Sequence, residues 1–179
     1  MKTLAQSFAS ICLFVLFFYS QDLSAKIAAI VIDYDTKEVL FEINADTRNY
    51  PASLTKMMTL YILFDNLEKG KITEKTPLHV SAEASSRSPS KLFLEEGSKI
   101  KVKNAVSALI IKSANDVATV VAEHISGTEK DFAKLMNSYA KNLGMKQTTF
   151  KNASGLPDRT QMTTARDIAT LSHALIKNF

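Results

Sequence analysis

Residues 51–58 read PASLTKMM, which places a serine and a lysine three positions apart at the start of a long apolar run. A lysine amine next to a serine hydroxyl is a candidate base beside a candidate nucleophile, but the same spacing also arises by chance. Three other Ser-x-x-Lys pairs occur in the chain: Ser88/Lys91, Ser98/Lys101 and Ser138/Lys141. The spacing alone therefore does not select a site, and the surrounding sequence has to decide.

The segment that follows PASLTKMM separates the four pairs. From position 54 to 67 apolar residues fall on nearly every position, which predicts a helix buried on all sides and ended by Gly70. Pro51 stands just ahead and fixes the direction in which the chain enters this helix. Only Ser53 and Lys56 open such a helix. The other pairs lie in polar loop or hairpin stretches, or on the polar side of a helix.

Two interpretations of Ser53 and Lys56 follow. In the first, Ser53 caps the helix and Lys56 is a surface residue one turn later, the commonest meaning of an isolated pair. However, a capping box needs Glu or Gln at the third position, and the positive end of the helix dipole disfavours lysine. In the second, the apolar neighbours Met57 and Met58 desolvate Lys56 and lower the pKa of its amine. Ser53 would then be a nucleophile with Lys56 as its general base, since residues i and i+3 share a helix face.

A second polar cluster lies in KSANDVA, residues 112–118, between two apolar helical runs. It holds the one Ser-x-Asn pattern of the chain, formed by Ser113 and Asn115. One interpretation is a turn between helices in which Asn115 or Asp116 caps the second helix. The other is that these polar side chains point into a cleft and act on a substrate. The residues by themselves leave both interpretations open.

Composition narrows the class of protein. The chain has 179 residues, 46% hydrophobic and 22% charged, as expected for about one globular domain. The net charge of +4 comes from lysines scattered among acidic residues, so nucleic-acid binding is not indicated. Cys12 is the one cysteine and the three histidines lie far apart in sequence. We therefore expect neither a metal site nor a cofactor.

The N-terminus has the pattern of a secretory signal peptide. Lys2 precedes the apolar run ICLFVLFFY at 11–19, and small residues follow before position 26. The run is too short for a comfortable transmembrane helix, which needs roughly 20 apolar residues. We expect residues 1–25 to be a signal peptide and residues 26–179 to be exported to the periplasm or cell envelope. Contact with a membrane surface is expected only if the signal stays uncleaved or a C-terminal anchor follows in a longer product.

Hydrophobic periodicity predicts a β-hairpin followed by helices. Runs rich in β-branched residues at 27–32 and 39–43 flank a turn-forming stretch, the pattern of a hairpin. Further short strands are expected at 92–94 and 100–102. Helices are expected at 54–67, 105–112, 117–125, 131–144 and from about Thr164 onward, with Asp167 in the first turn of the last.

Taken together, PASLTKMMT and LIIKSANDVA resemble motifs of the serine-type D-alanyl-D-alanine carboxypeptidases, the low-molecular-mass penicillin-binding proteins of peptidase family S11. The wider superfamily carries Ser-x-x-Lys, Ser-x-Asn and Lys-Thr-Gly elements. Residues 90–158 and 163–176 are similar to the family as well. The resemblance implies an α/β (α+β) fold of the β-lactamase/transpeptidase type, with an N-terminal β-hairpin and an all-helical core.

The resemblance also implies a role for each site residue. Ser53 would be the nucleophile that forms an acyl-enzyme, with Lys56 as its general base and its own backbone N–H as half of an oxyanion hole. Ser113 would relay protons to the leaving D-alanine, and Asn115 would hydrogen-bond the substrate's peptide chain. The implied substrate is a peptidoglycan stem peptide ending in D-Ala-D-Ala, which loses its last residue during cell-wall biogenesis. β-Lactams would acylate Ser53 as inhibitors.

One departure from the family pattern concerns the third motif. No Lys-Thr-Gly, Lys-Ser-Gly or His-Thr-Gly occurs in the 179 residues. We therefore expect 26–179 to be an incomplete catalytic domain that lacks the later strands of the sheet and leaves an unpaired edge on the hairpin. This leaves an alternative function open, a catalytically inactive, truncated remnant that at most binds stem peptide or a partner.

Overall fold

Residues 27–179 are described by a computed structural model, so the predicted signal peptide at residues 1–25 lies outside the described part of the chain. Within it, the strands are β1 (Ala29–Ile32), β2 (Val39–Ile43), β3 (Pro77–His79) and β4 (Lys99–Lys101). The helices are α1 (Thr55–Glu68), α2 (Ala82–Ser85), α3 (Val102–Ser107), α4 (Asn115–Ser126), α5 (Glu129–Leu143) and α6 (Ala165–Asn178). No helix of this part combines the length and the apolarity needed to cross a bilayer.

The predicted hairpin is confirmed. β1 and β2 pair antiparallel, with Ala29 opposite Ile43 at one end of the register. The turn closes on Asp33, whose carboxylate accepts hydrogen bonds from the N–H of Asp35 at 3.1 Å and from the N–H of Thr36 at 2.8 Å. An aspartate that bonds the backbone two and three residues on is a typical turn former, which is why the chain reverses here.

Helix α1 lies at the centre of the molecule, as its apolar sequence predicts. It packs against α4, α5 and α6, and the side chains of Met58, Ile62 and Leu63 have no exposed surface. Such a helix has no polar face to turn toward water and therefore requires partners on every side. Gly70, at a φ of +66°, follows its last turn, so the predicted end is also confirmed.

A second, smaller ribbon lies beside the helices. β3 pairs antiparallel with β4, and Leu78 of β3 is fully buried. The strand expected at 100–102 thus forms one position earlier, at 99–101. The strand expected at 92–94 is wrong: the segment is a loop, and its backbone N–H groups at Leu92 and Leu94 donate to the carboxylate of Asp116 instead of to a neighbouring strand.

The interruption predicted between the two apolar helical runs is a change of helix type. Helix α3 continues into a π-helical turn, Ala108–Lys112, which ends at Ser113 in the left-handed conformation, with φ 55° and ψ 42°. α4 begins at Asn115 immediately afterwards. Single π-helical turns and left-handed non-glycine residues are both concentrated at functional sites, so this junction is a place to look for one.

Candidate active site

The Ser53 turn is a 3₁₀ turn, Ala52–Leu54, that leads directly into α1. Ser53 is exposed and does not cap the helix: the N-cap position is held by Leu54, and no side chain makes a capping hydrogen bond there. Ala52 has a φ of +46°, which is unusual for a residue with a Cβ. The capping interpretation of Ser53 is therefore wrong, and the turn holds the hydroxyl outward in a strained backbone.

Lys56 lies one turn into α1 and is buried, with 3% of its surface exposed. Its Nζ lies 3.4 Å from Ser53 Oγ and donates a hydrogen bond to the backbone carbonyl of Ser154 at 2.7 Å. Burial lowers the pKa of the amine from 10.5 to about 8, because the charged form loses its hydration. About a tenth of the amine is thus neutral at pH 7, far more than for a lysine in water, and that form is able to take a proton from Ser53.

The carbonyl that holds Lys56 belongs to the Asn152 loop, residues 152–155. Asn152 shapes this loop: its side-chain oxygen accepts the N–H of Gly155 at 2.7 Å, and its amide group donates to the Leu156 carbonyl at 2.9 Å. One residue along, the carbonyl of Ala153 accepts a hydrogen bond from the hydroxyl of Thr59 at 2.7 Å. Two consecutive carbonyls of the loop are therefore fixed on side chains of α1.

Gly155 brings the Asn152 loop against the Ser53 turn. It has a φ of +87°, and a Cβ placed there would lie 1.8 Å from the carbonyl oxygen of Ala52. No side chain fits at that distance, so only glycine allows this approach. Gly155 thus packs directly against the backbone of the strained Ala52, and this contact fixes the position of the adjoining Ser53.

The second predicted pair, Ser113 and Asn115, lies at the junction between the π-helical turn and α4. Helix α4, which begins at this junction, packs on α1. The side-chain amide of Asn115 donates to the carbonyl of Ser88 at 2.9 Å, and the backbone N–H of Asn115 donates to the backbone carbonyl of Ser90 at 2.7 Å. The hydrogen bonds found among residues 27–179 join Lys56 to Ser53 but do not join Ser113 or Asn115 to either of them.

Asp116, predicted as an alternative cap of α4, acts mainly on another segment. The N-cap position is Ala114, and no side chain makes a capping hydrogen bond there. The fully buried carboxylate of Asp116 accepts the N–H groups of Leu92 and Leu94, each at 3.1 Å. Together with Asn115 it anchors the serine-rich loop, residues 86–96, beside the junction.

Two cavities border the Ser53 turn. A cavity of about 710 Å³ between β1 and α6 is bordered by Pro51 and Leu54 but not by Ser53 or Lys56. A second, of about 500 Å³, is bordered by Ala52 and Gly155. Volume alone would place the site in the larger cavity. We place it at Ser53, since chemistry needs the hydroxyl and the amine together.

Several residues of this site were missed in the sequence. The Ser154 carbonyl and Gly155 were assigned only to a loop, and the buried ion pair of Arg87 and Glu129 behind it was not noticed. The one local signal is Asn152 three positions before Gly155, a spacing typical of a side-chain-stabilised turn. A backbone carbonyl leaves no mark in the sequence, so the hydrogen bond between the Ser154 carbonyl and Lys56 could not be predicted.

Comparison with known proteins identifies the family of the chain. Residues 18–179 match the family model Peptidase_S11, described as D-alanyl-D-alanine carboxypeptidase. The chain is 40% identical over 150 residues to the D-alanyl-D-alanine carboxypeptidase DacF of Bacillus subtilis, covering 84% of this chain and 39% of that protein. This chain therefore spans about two fifths of the length of that relative.

Solved structures give the same result. The crystal structure of the D-alanyl-D-alanine carboxypeptidase DacD from Francisella tularensis superposes with a TM-score of 0.84 at 40% identity, covering 88% of this chain and 38% of that one. Penicillin-binding protein D2 of Listeria monocytogenes, in its ampicillin-bound form, superposes with a TM-score of 0.69 at 32% identity, covering 84% and 61%. The predicted β-lactamase/transpeptidase-like fold class is confirmed.

Proposed function

Because the chain belongs to the Peptidase_S11 family of D-alanyl-D-alanine carboxypeptidases, we propose that it is a serine-type carboxypeptidase acting on peptidoglycan stem peptides ending in D-Ala-D-Ala. One observation carries the proposal: the buried amine of Lys56, with a pKa lowered to about 8, lies 3.4 Å from the exposed hydroxyl of Ser53. A serine becomes a nucleophile when a neutral base is within reach of its proton. The Ser53 turn and the Asn152 loop provide that arrangement.

The proposed reaction has two steps. The neutral Lys56 amine takes the proton of Ser53 Oγ, which attacks the carbonyl carbon of the penultimate D-alanine, and the scissile C–N bond then breaks. Ser113 relays the proton to the nitrogen of the departing D-alanine, and Asn115 binds the peptide chain of the substrate. A water molecule then attacks the acyl-enzyme carbonyl, releases the shortened stem peptide and restores the Ser53 hydroxyl.

The backbone around Ser53 suits the charge that develops in this reaction. The oxygen of the attacked carbonyl becomes negative in the tetrahedral intermediate and needs N–H donors. The N-terminus of α1, which follows Ser53 directly, carries a partial positive charge from its helix dipole. We assign the N–H of Ser53 as one donor of the oxyanion hole.

The partners and the location follow from the same proposal. Ampicillin is bound in the related Listeria structure, which supports β-lactams as inhibitors that acylate Ser53 here. The reaction needs no cofactor, since the serine and lysine supply both the nucleophile and the base. Its substrate lies in the cell wall, so we propose a protein exported to the periplasm or cell envelope, with a role in peptidoglycan metabolism.

A fluorescent penicillin tests the proposal on the purified chain. We expect covalent labelling that disappears in Ser53→Ala, and release of D-alanine from a synthetic stem peptide by the same wild-type protein. Ser138→Ala is the matched control, since Ser138 also precedes a lysine by three positions but lies exposed on α5, so its labelling should be unchanged. Folded wild-type chain that takes no label would instead support the alternative, a protein that at most binds stem peptide or a partner.

A further inference from the structure

Glu129, the first residue of α5, is a carboxylate that the reaction above does not use. It is 9% exposed and forms an ion pair with Arg87, whose side chain is also largely covered. Arg87 in turn donates to the hydroxyl of Thr119 at 2.9 Å. A buried charge is costly unless it is paired and hydrogen-bonded, so a position of this kind needs an explanation.

Capping of α5 does not provide that explanation. The N-cap of α5 is Thr128, whose hydroxyl oxygen accepts the N–H of Asp131 at 3.0 Å. Asp131 already places an acidic side chain in the first turn, where the helix dipole favours one, and it is exposed to water. The helix end is therefore satisfied without Glu129, whose side chain is directed at another part of the molecule.

The carboxylate of Glu129 reaches the Asn152 loop. Its Oε1 accepts the backbone N–H of Ala153 at 2.9 Å. The next residue, Ser154, supplies the carbonyl that accepts the hydrogen bond of Lys56. A charged acceptor makes a stronger hydrogen bond to a peptide N–H than a neutral one. The Glu129 carboxylate thus holds the peptide N–H of the residue that precedes Ser154, whose carbonyl accepts the hydrogen bond of Lys56.

We propose that Glu129 is a positioning residue, which through the N–H of Ala153 holds the Ser154 carbonyl where it keeps the Lys56 amine within reach of Ser53. Arg87 forms an ion pair with Glu129 and holds its side chain in place. Arg87 also lies in the serine-rich loop, and the carbonyl of the next residue, Ser88, accepts the hydrogen bond of Asn115. The ion pair therefore connects the Asn152 loop to the serine-rich loop.

The inference rests on the proposed function for the role of Lys56 as a base, but its geometry is measurable without activity. Two readouts are independent of catalysis: hydrogen exchange of the Ala153 amide, and the NMR resonance of the Lys56 Cε, assigned with the variant Lys56→Arg. Two more require the reaction: the rate constant for acylation by a penicillin, and the dissociation constant of the penicillin complex that precedes acylation.

Three variants separate positioning from general stability. Glu129→Ala removes the acceptor of the Ala153 N–H, whereas Glu129→Gln retains an oxygen at the same reach and should restore most of the function. Glu83→Ala is the matched control, because Glu83 is a second carboxylate bound to Arg87, at 2.6 Å, but it is exposed, and the hydrogen bonds found among residues 27–179 do not join its side chain to the Asn152 loop.

In Glu129→Ala we expect the Ala153 amide to exchange about tenfold faster, acylation to slow by about tenfold or more, and the Lys56 resonance to shift. The dissociation constant of the pre-acylation complex should stay within about twofold, because the base and not the binding surface is displaced. Glu129→Gln should recover most of the rate, and Glu83→Ala should behave as wild type. A merely structural Glu129 would lower the melting temperature and leave the Lys56 resonance of the folded protein unchanged.

Each result decides the inference. Unchanged Ala153 exchange and acylation in folded Glu129→Ala would overturn it, as would Glu83→Ala slowing acylation equally. If Glu129→Ala does not fold, wild-type exchange decides: an Ala153 amide that exchanges as fast as the exposed loop amides contradicts the proposed contact, and a protected one supports it. If wild type is not acylated, the proposed function fails, and the shift or constancy of the Lys56 resonance then decides the positioning role alone.

Discussion

Helix α1 and the β1–β2 hairpin have equally apolar sequences, but they differ in what surrounds them. In α1 the side chains of Met58, Ile62 and Leu63 are completely buried between other helices, whereas in β2 Leu40 is 61% and Phe41 55% exposed. An apolar sequence thus predicts that a segment gains free energy when its side chains are buried. It does not predict whether another part of the protein buries them. In this chain the covered segment carries the proposed chemistry.

Polar contacts help to attach the hairpin to α6. Arg166 forms ion pairs with Glu42 and Asp46, and His173 lies 3.1 Å from the carbonyl oxygen of Tyr34. Tyr34 and His173 also line the cavity of about 710 Å³ described above. Exposed ion pairs of this kind contribute little stability, typically below about 1 kcal/mol each. The hairpin is therefore expected to be held less firmly than α1.

The largest expected effect on stability comes from truncating a buried side chain of α1. Ile62→Ala should lower the free energy of unfolding by about 2–5 kcal/mol, because it removes buried methyl groups and leaves a cavity. Leu40→Ala in the hairpin is the matched truncation and should cost less than about 0.5 kcal/mol, since Leu40 is already in water. Urea unfolding of both variants measures the difference. Equal losses of stability in the two variants would show that the exposed face of the hairpin is buried in solution, and would contradict the contrast between α1 and the hairpin.

Lys56 provides the next largest effect, because it is a charge inside the apolar helix. Burial lowers its pKa from 10.5 to about 8 in the folded chain. Above about pH 8 the folded chain releases a proton that the unfolded chain keeps until its pKa near 10.5, so the stability contributed by Lys56 rises with pH through this window. The shift corresponds to about 3 kcal/mol.

The variant Lys56→Met has no such titration. Its stability relative to wild type should therefore be greatest at about pH 7 and fall by up to about 3 kcal/mol as the pH approaches 10. Urea unfolding of both proteins at several pH values measures this trend, and Lys141→Met is the control for losing an exposed lysine. A stability difference that does not change with pH would mean that the Lys56 amine is hydrated. The start of α1 would then be less buried than the contrast with the hairpin requires.

A smaller effect is expected where the Asn152 loop meets the exposed start of α1. Gly155→Ala would place a Cβ 1.8 Å from the carbonyl oxygen of Ala52, so the Ser53 turn or the loop must move. Gly127→Ala is the matched control, because Gly127 has a similar φ of +78° but no atom within 4 Å of the added Cβ.

Both glycine variants bear the strain of a left-handed alanine, about 1 kcal/mol. Gly155→Ala should cost about 1–3 kcal/mol more because of the overlap, and it should also slow penicillin acylation, since the displaced backbone adjoins Ser53. Thermal unfolding and labelling rates measure both effects. If the two glycine variants behave alike, the loop does not press on the turn, and the position of Ser53 has another origin.

Much of the fold could be predicted because its signals are local. Runs rich in β-branched residues on either side of the Asp33 turn predict the hairpin, and the apolar run that ends before Gly70 predicts α1. The strand expected at 92–94 failed because apolar residues in a loop give the same pattern as a short strand. Here the carboxylate of Asp116 takes the backbone N–H groups that a neighbouring strand would have bonded.

The sequence by itself determined the pairing of Ser53 with Lys56, since residues three apart on a helix are neighbours in any protein. It also predicted the loss of hydration that lowers the pKa of Lys56, because the apolar residues around it are adjacent in the chain. Only the tertiary structure decided what holds the pair. The carbonyl of Ser154 lies 98 positions from Lys56, and Gly155 and Glu129 act on the site from other elements. Such contacts depend on how whole helices and loops pack together, and the spacing of residues along the chain does not reveal that packing.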